Sequence, residues 1–428
     1  MRILVIGAYG LLGGYVTARL IAGGHAVIGV GRDTAAAHRR FPSVRWVEAD
    51  LRRMEAAAWT PLLTGLDAVV NCAGVLQDSP RDDLRAVHVE LIAALAAACR
   101  EAGVRRIVHI SAAGVERGDD PFRRAKREAD AALQSSDLDW IILRPGLVLA
   151  PAAYGGGALI RGLAAFPIVI PAVNGEAQVQ VVSVDDLAEA VVRSLTVAPT
   201  RFVCDLVAAE ETRLGDILLA MRAWLGLPPA RLLSLPRWIG AITAGASDAL
   251  SWFGWRSPLR SAALRQLAQG VTGRADDAPA RLGLTPRTLS QTLALWPSGV
   301  QERWFARLYF VKPLVLMTLI GFWAASGAIG FAQRYAAQAL LINAGLSAGA
   351  AGALVLAGCA TDLILAALTC FRTTARLGLQ AMIAVTLAYL AGASLWLPGL
   401  WSDPLGPLVK DIPAAILALA ALAMMDER

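Results

Sequence analysis

The sequence predicts an α/β fold, a doubly wound parallel sheet, followed by an all-α membrane helix bundle. Three observations lead there: an opening apolar run that meets glycines at positions 7, 10 and 13, an alternation of apolar and amphipathic stretches behind it, and a loss of charge late in the chain. The 428 residues allow two or three domains, and 56% hydrophobic against 17% charged residues is too apolar for an ordinary soluble protein. The excess is local, since only 11 of the 74 charged residues follow Arg307.

The first strand runs into Gly7, Gly10 and Gly13. Gly7 permits a tight strand-to-helix turn, Gly10 lets the backbone approach a pyrophosphate, and Gly13 lets the next helix pack closely. The N-terminus of that helix supplies free N–H groups and partial positive charge for phosphates. An amphipathic segment at 15–22 and a second strand at 26–30 give the glycines the context such a motif needs. A secretory leader is not expected, because the apolar core is only about five residues long and glycine interrupts it. Further strands are expected at 44–47, 68–71, 106–110 and 140–143, with helices across 82–102 and 122–134. This alternation puts ligands at the carboxyl ends of the strands. At the end of the second strand the chain reads Val30, Gly31, Arg32, Asp33. Glycine where an NAD enzyme usually has an acid, with Arg32 next, favours NADP(H), while Asp33 keeps NAD(H) open.

Five motifs in order then carry a family resemblance: the glycine loop, Ala49-Asp50-Leu51, Asn71-Cys72-Ala73-Gly74, Ile110-Ser111-Ala112 and Leu143-Arg144-Pro145-Gly146. Through them, residues 1 to about 225 resemble the Rossmann-type short-chain dehydrogenase/reductase superfamily. The resemblance is to its atypical branch, similar to NmrA-like proteins and the NADPH-binding accessory subunit of respiratory complex I. It implies cofactor contacts at Gly7, Tyr9, Gly10, Leu11, Gly13, Arg32, Asp50, Leu51, Asn71, Ala73, Gly74, Lys126 and Pro145. Asp50 would meet the adenine, residues 71–74 would border the cofactor, and Asp185 and Asp186 would open a late helix near the substrate side.

Carbonyl-reducing members of that family use a tyrosine four residues before a lysine, and here the pair is Phe122 and Lys126. Phenylalanine has no proton to give, and Tyr9, Tyr15 and Tyr154 have no lysine four residues on. Lys126 is the only lysine before Lys312 in a chain that otherwise uses arginine. An amine titrates and a guanidinium does not, so Lys126 is a candidate acid/base; holding the nicotinamide ribose and plain helix surface are the other readings. Ser111 is a second catalytic candidate, which would bond a substrate oxygen or simply end its strand.

From Arg231 to Arg307 the chain is rich in tryptophan, with apolar stretches at 235–242 and 249–255. Such a segment caps the substrate side, lies against a bilayer or packs inside the domain. Apolar blocks follow at 313–333, 347–370, 377–397 and 405–425, each near the roughly 20 residues that cross a bilayer. In the fourth, Lys410, Asp411 and Pro413 leave either a full span or an interfacial helix. The junction from Arg303 to Pro313 and the stretch from Gly321 to Gly327 resemble the start of DoxX-like four-helix membrane domains, whose relatives are linked with quinone or thiol redox processes. Domains are therefore expected at 1–230, 231–307 and 308–428. Asp362 lies inside the second block as a proton or headgroup site, a partner of Lys410 or a protonated carboxyl. Gly345, Ala348, Gly349 and Gly352 would allow close helix contact near the start of that block.

Arg303, Arg307, Lys312, Arg372, Arg376 and Arg428 put their loops, and the nucleotide domain, on the cytoplasmic face of a multi-pass inner-membrane protein. The net charge of +6 is spread out, which gives nucleic-acid binding no support. The five cysteines have neither pairing nor metal spacing, so no metal is expected. Two functions follow as expectations. One is a membrane-anchored NAD(P)H-dependent reductase of an apolar or quinone-like substrate; the other is a non-catalytic NAD(P)H-binding sensor or scaffold for a membrane-protein partner.

Overall fold

The computed structural model describes residues 1–79, 82–255, 259 and 261–425; Arg428, counted above toward the cytoplasmic face, lies outside them. The chain forms two compact units, Met1–Asp248 with Ser257–Ala306, and Ala249–Arg256 with Arg307–Arg428.

The first unit is built on β1 (Arg2–Ile6), α1 (Leu11–Ala22), β2 (Ala26–Gly31), α2 (Thr34–Arg40), β3 (Arg45–Glu48), α3 (Ala56–Leu63) and β4 (Ala68–Asn71). It continues through α4 (Leu91–Ala102), β5 (Arg106–Ile110), α5 (Pro121–Gln134) and β6 (Asp139–Pro145). A seventh strand, Phe202–Leu206, completes a parallel sheet in the order Phe202–Leu206, β6, β5, β4, β1, β2, β3. β1 is central, so both its faces are buried. Ile3 and Val5 join the core on one side of the sheet, Leu4 and Ile6 the core on the other, as the two-residue period of a strand requires. The chain leaves β1 for β2 and β3, then returns to place β4 on β1's other side. This reversal opens a crevice beyond the carboxyl ends of β1 and β4, where ligands of such sheets bind.

Residues after 230 also join this unit. Strand Arg231–Leu235 pairs in parallel with Val169–Val173, and Leu289, Leu293 and Trp296 fill a third core with Ile217 and Met221.

Among the described residues the second unit holds three helices long and apolar enough to cross a membrane, Val311–Ala332, Ala348–Cys370 and Ala375–Trp396, with mean hydropathies of 1.9, 2.0 and 1.5. Helix Arg334–Asn343 lies between the first two, and the last apolar block forms the 17-residue helix Pro407–Ala423. Trp323, Leu365, Leu379 and Met382 pack inside, while Leu314, Phe322, Ile364 and Leu395 stand exposed. Helices meet closely at Gly327, whose added Cβ would lie 2.8 Å from the Cys359 carbonyl oxygen. In the stripe expected at Gly345, Ala348, Gly349 and Gly352, a Cβ on Gly352 would lie 3.5 Å from Gln338 of helix Arg334–Asn343, while Gly345 and Gly349 have nothing within 4 Å. Asp362 is tied to hydroxyls and not to Lys410 among the described residues: Ser326 Oγ donates to it at 2.7 Å and the Tyr389 hydroxyl at 2.9 Å.

Candidate nucleotide site

The register of β1 on β4 sets Ile6 beside Asn71, which brings Gly7 against residues 72–73. Gly7 has φ of 72°, and a Cβ there would lie 3.0 Å from the Ala73 nitrogen, so no other residue suits the turn. Gly10 N–H donates to the Gly7 carbonyl at 2.9 Å, and Gly10 begins α1 with no side-chain cap. A Cβ on Gly13 would lie 2.0 Å from that same Gly7 oxygen. Gly13 is thus required by the loop itself, a tighter constraint than the helix-to-sheet packing expected. Leu11 opens α1, whose first-turn N–H groups meet no capping side chain; this cradle fits a diphosphate.

The loop after β2 is closed by the protein's own pairs. Gly31 leaves room for Tyr9, since a Cβ on it would lie 2.0 Å from the tyrosine ring. The Tyr9 hydroxyl accepts from the Arg32 and Asp33 N–H groups at 3.1 and 3.4 Å. The Arg32 guanidinium lies 3.1 Å from Asp82. Asp50 caps the turn Leu51–Arg53 and binds the Arg52 guanidinium at 2.5 Å, which pulls its carboxyl down to about 2. Leu51 packs half-buried on the sheet core. A 2′-phosphate on the ribose would require Arg32 to exchange Asp82 for it.

Behind β4 and β5 lies a buried polar network. Asn71 Oδ1 accepts from Ala73 N–H at 3.0 Å, so its amide nitrogen donates to His109 Nδ1 at 3.1 Å. That leaves the His109 proton on Nε2, facing Asp130 Oδ1 at 3.7 Å. Burial holds the imidazole well below its ordinary value, hence neutral. Asp130 Oδ2 accepts from Ser111 Oγ at 3.0 Å and from Arg144 at 2.8 Å; burial raises its carboxyl, and Arg144 opposes that. Ser111 therefore turns its hydroxyl proton inward.

α5 carries the remaining groups. Asp120 caps it by accepting from Arg123 N–H, and Pro121 fits the first turn. One turn in, Lys126 is buried; its Nζ donates to the Ile110 carbonyl at 2.8 Å, and burial lowers it to about 8. The nearby Cys72 thiol is pushed up to about 12 by burial. Phe122 meets His88 edge-on at 5.6 Å, and His88, on a π-helical turn leading into α4, contacts the Val75 carbonyl at 2.8 Å. Gly74 lies beside that imidazole, an added Cβ falling 3.4 Å from it at ordinary contact distance. Pro145 closes β6, its carbonyl accepting from Ala113 N–H at 2.8 Å. The network residues His109, Asp130 and Arg144 were not singled out from sequence. One signal existed for Asp130, which follows Lys126 by one helical turn.

Residues 7–197 match a family model described as NAD(P)H-binding, and residues 320–419 match the DoxX-like family. Residues 7–197 are thus similar to NAD(P)H-binding domains on a Rossmann-like parallel sheet, and residues 320–419 to DoxX-like domains, in a region with membrane-length helices. It is 33% identical over 198 residues to an uncharacterized protein of Mycobacterium tuberculosis, covering 46% of this chain and 20% of that one. The match therefore spans about a fifth of that relative's length. It is 28% identical over 254 residues to a ceramide reductase of Caulobacter vibrioides, covering 57% of this chain and 76% of the relative. A solved UDP-glucuronic acid 4-epimerase from Bacillus cereus, with UDP-glucuronic acid and NAD bound, shares the fold at a TM-score of 0.54 and 16% identity, over 72% of this chain and 100% of that one.

Proposed function

We propose that the protein is a membrane-anchored, atypical short-chain reductase that uses NADP(H) and acts on an apolar, membrane-soluble substrate. The observation that carries the reading is Lys126, a buried amine lowered to about 8 and standing one turn after Phe122. Reduction of a carbonyl needs a hydride and a proton, and the bound dinucleotide supplies the hydride. Phe122 cannot supply the proton. Lys126 can, because the Ile110 carbonyl takes only one of its three N–H bonds. Asp130 supports the ammonium against burial, so it titrates at about 8 and not far below.

Ser111 then acts through Asp130 as a positioning residue. The substrate class draws support from the likeness to a ceramide reductase, ceramide being an amphiphile. Arg32 and Gly31 favour NADP(H). Residues 1–230 bind the dinucleotide, 231–307 line the substrate side, and 308–428 cross the inner membrane four times with the basic loops cytoplasmic. A sensor or scaffold role is the second reading, favoured by Phe122 and by the Ser111 proton being spent on Asp130.

The test uses the full chain in lipid nanodiscs with labelled NADPH, offering decylubiquinone and 2-hexadecanone as acceptors. Lys126→Met should lower turnover about 100-fold or more while NADPH affinity changes less than about tenfold. A dinucleotide that stays bound for hours without oxidation by either probe would establish the scaffold reading instead.

A further inference from the structure

Helix Arg237–Trp252 is built inside out. Its inward positions are small or polar: Gly240, Ala244, Ser247 and Ser251 are buried. Its outward positions are apolar, with Trp238 63% exposed, Ile242 64% and Trp252 77%. Between Arg237 and Trp252 the one charged residue is Asp248, and it turns inward, accepting from Gln77 Nε2 at 3.1 Å and from the Ser261 hydroxyl. A helix folded in water places these classes the other way round, so the outer face calls for an apolar surrounding.

The chain beyond the helix says which one. Ala249–Arg256 belong to the helical unit. There the Phe253 carbonyl accepts from Arg372 N–H at 2.9 Å, and Trp255 Nε1 donates to the Cys370 carbonyl at 2.7 Å. Cys370 ends one membrane-length helix and Ala375 begins the next, so this junction stands where two such helices leave the hydrocarbon. Tryptophan beside arginine is the composition of that depth: the Arg372 guanidinium lies 5.7 Å from the Trp255 ring.

We propose that helix Arg237–Trp252 lies in the headgroup region of a lipid bilayer, with Trp238, Ile242 and Trp252 among the acyl chains. Its inner face holds Gln77, three residues past Gly74 at the crevice. Arg123, next to Phe122, donates to the carbonyls of Gln266 and Gly270 in the segment that follows. Resting on the reductase reading, the helix is then the side by which a lipid-soluble substrate leaves the bilayer for Lys126.

The test places a photoreactive benzoylphenylalanine at Ile242 in the full chain, in nanodiscs of phosphatidylcholine and phosphatidylglycerol, with Arg274 as the water-exposed control site. Irradiation should attach lipid at position 242 at least about ten times more often than at 274. Equal, low labelling, or cross-linking to a second copy or to another protein, would overturn the placement. NADPH binding by the same samples confirms folding. Ile242→Glu should lower use of 2-hexadecanone about tenfold and leave a short ketone such as 2-butanone unaffected. Loss of that selectivity with lipid labelling intact would remove the entry route and keep the lipid contact, and absence of any turnover would count against the reductase reading alone.

Discussion

Asp130 in the front unit and Asp362 in the helical unit are both buried carboxylates, and the two are satisfied by different chemistry. In the front unit Asp130 is met by a guanidinium, with Ser111, the neutral His109 and the Lys126 amine around it. Arg144 reaches on to Glu116 at 2.8 Å, so its charge is shared with the surface. In the helical unit Asp362 is met, among the described residues, by two hydroxyls, from Ser326 and Tyr389 on the helices to either side. The comparison teaches what each surrounding can supply. A sheet domain in water can bring a cation to a buried acid, whereas a bundle among lipids ties its acid with neutral donors that cost less to desolvate.

The largest expected effect comes from Asp130→Ala. It takes the buried partner from the Arg144 guanidinium, whose side chain is 12% exposed, leaves it only the exposed Glu116, and should cost about 3–5 kcal/mol in urea unfolding of the full chain in nanodiscs. Asp362→Ala removes only hydroxyl bonds and should cost about 1–2 kcal/mol in thermal denaturation of the helical unit. Equal losses at the two sites would break the comparison. The smallest effect is a pH slope. Folded Lys126 gives up its proton above about 8, while the unfolded lysine keeps it to about 10.5, so the unfolded chain binds more protons in that window. Stability contributed by this group therefore rises with pH from about 8 to about 10.5 and is flat below. Lys126→Met should flatten the rise relative to the unaltered protein, read by isothermal urea titrations at several pH values.

Much of this was legible beforehand because it is local. An apolar strand meeting glycine, as from Ile3 to Gly7, leaves the backbone few choices, and strands 68–71 and 106–110 fall where alternation put them. The three long helices follow from length and lack of charge. The network was not legible, because α5 turns Arg123, Lys126 and Asp130 inward, while periodicity assigns such residues to water. The small-residue stripe was legible only in part for a related reason: Gly352 meets Gln338 while Gly349 stands open, because small side chains permit close contact but do not choose the neighbour.

The division between the two kinds of knowledge is physical. Strand, turn and span are set by forces acting within a few residues, chiefly backbone sterics and the removal of apolar surface from water, so the order of residues along the chain is sufficient for them. Pairing is not. That Tyr9 fills the space over Gly31, that Asp130 finds Arg144, and that Asp362 takes Tyr389 instead of Lys410 depend on register and packing between distant segments. Each was settled only when the assembled sheet or bundle fixed which buried polar atoms had a partner within reach.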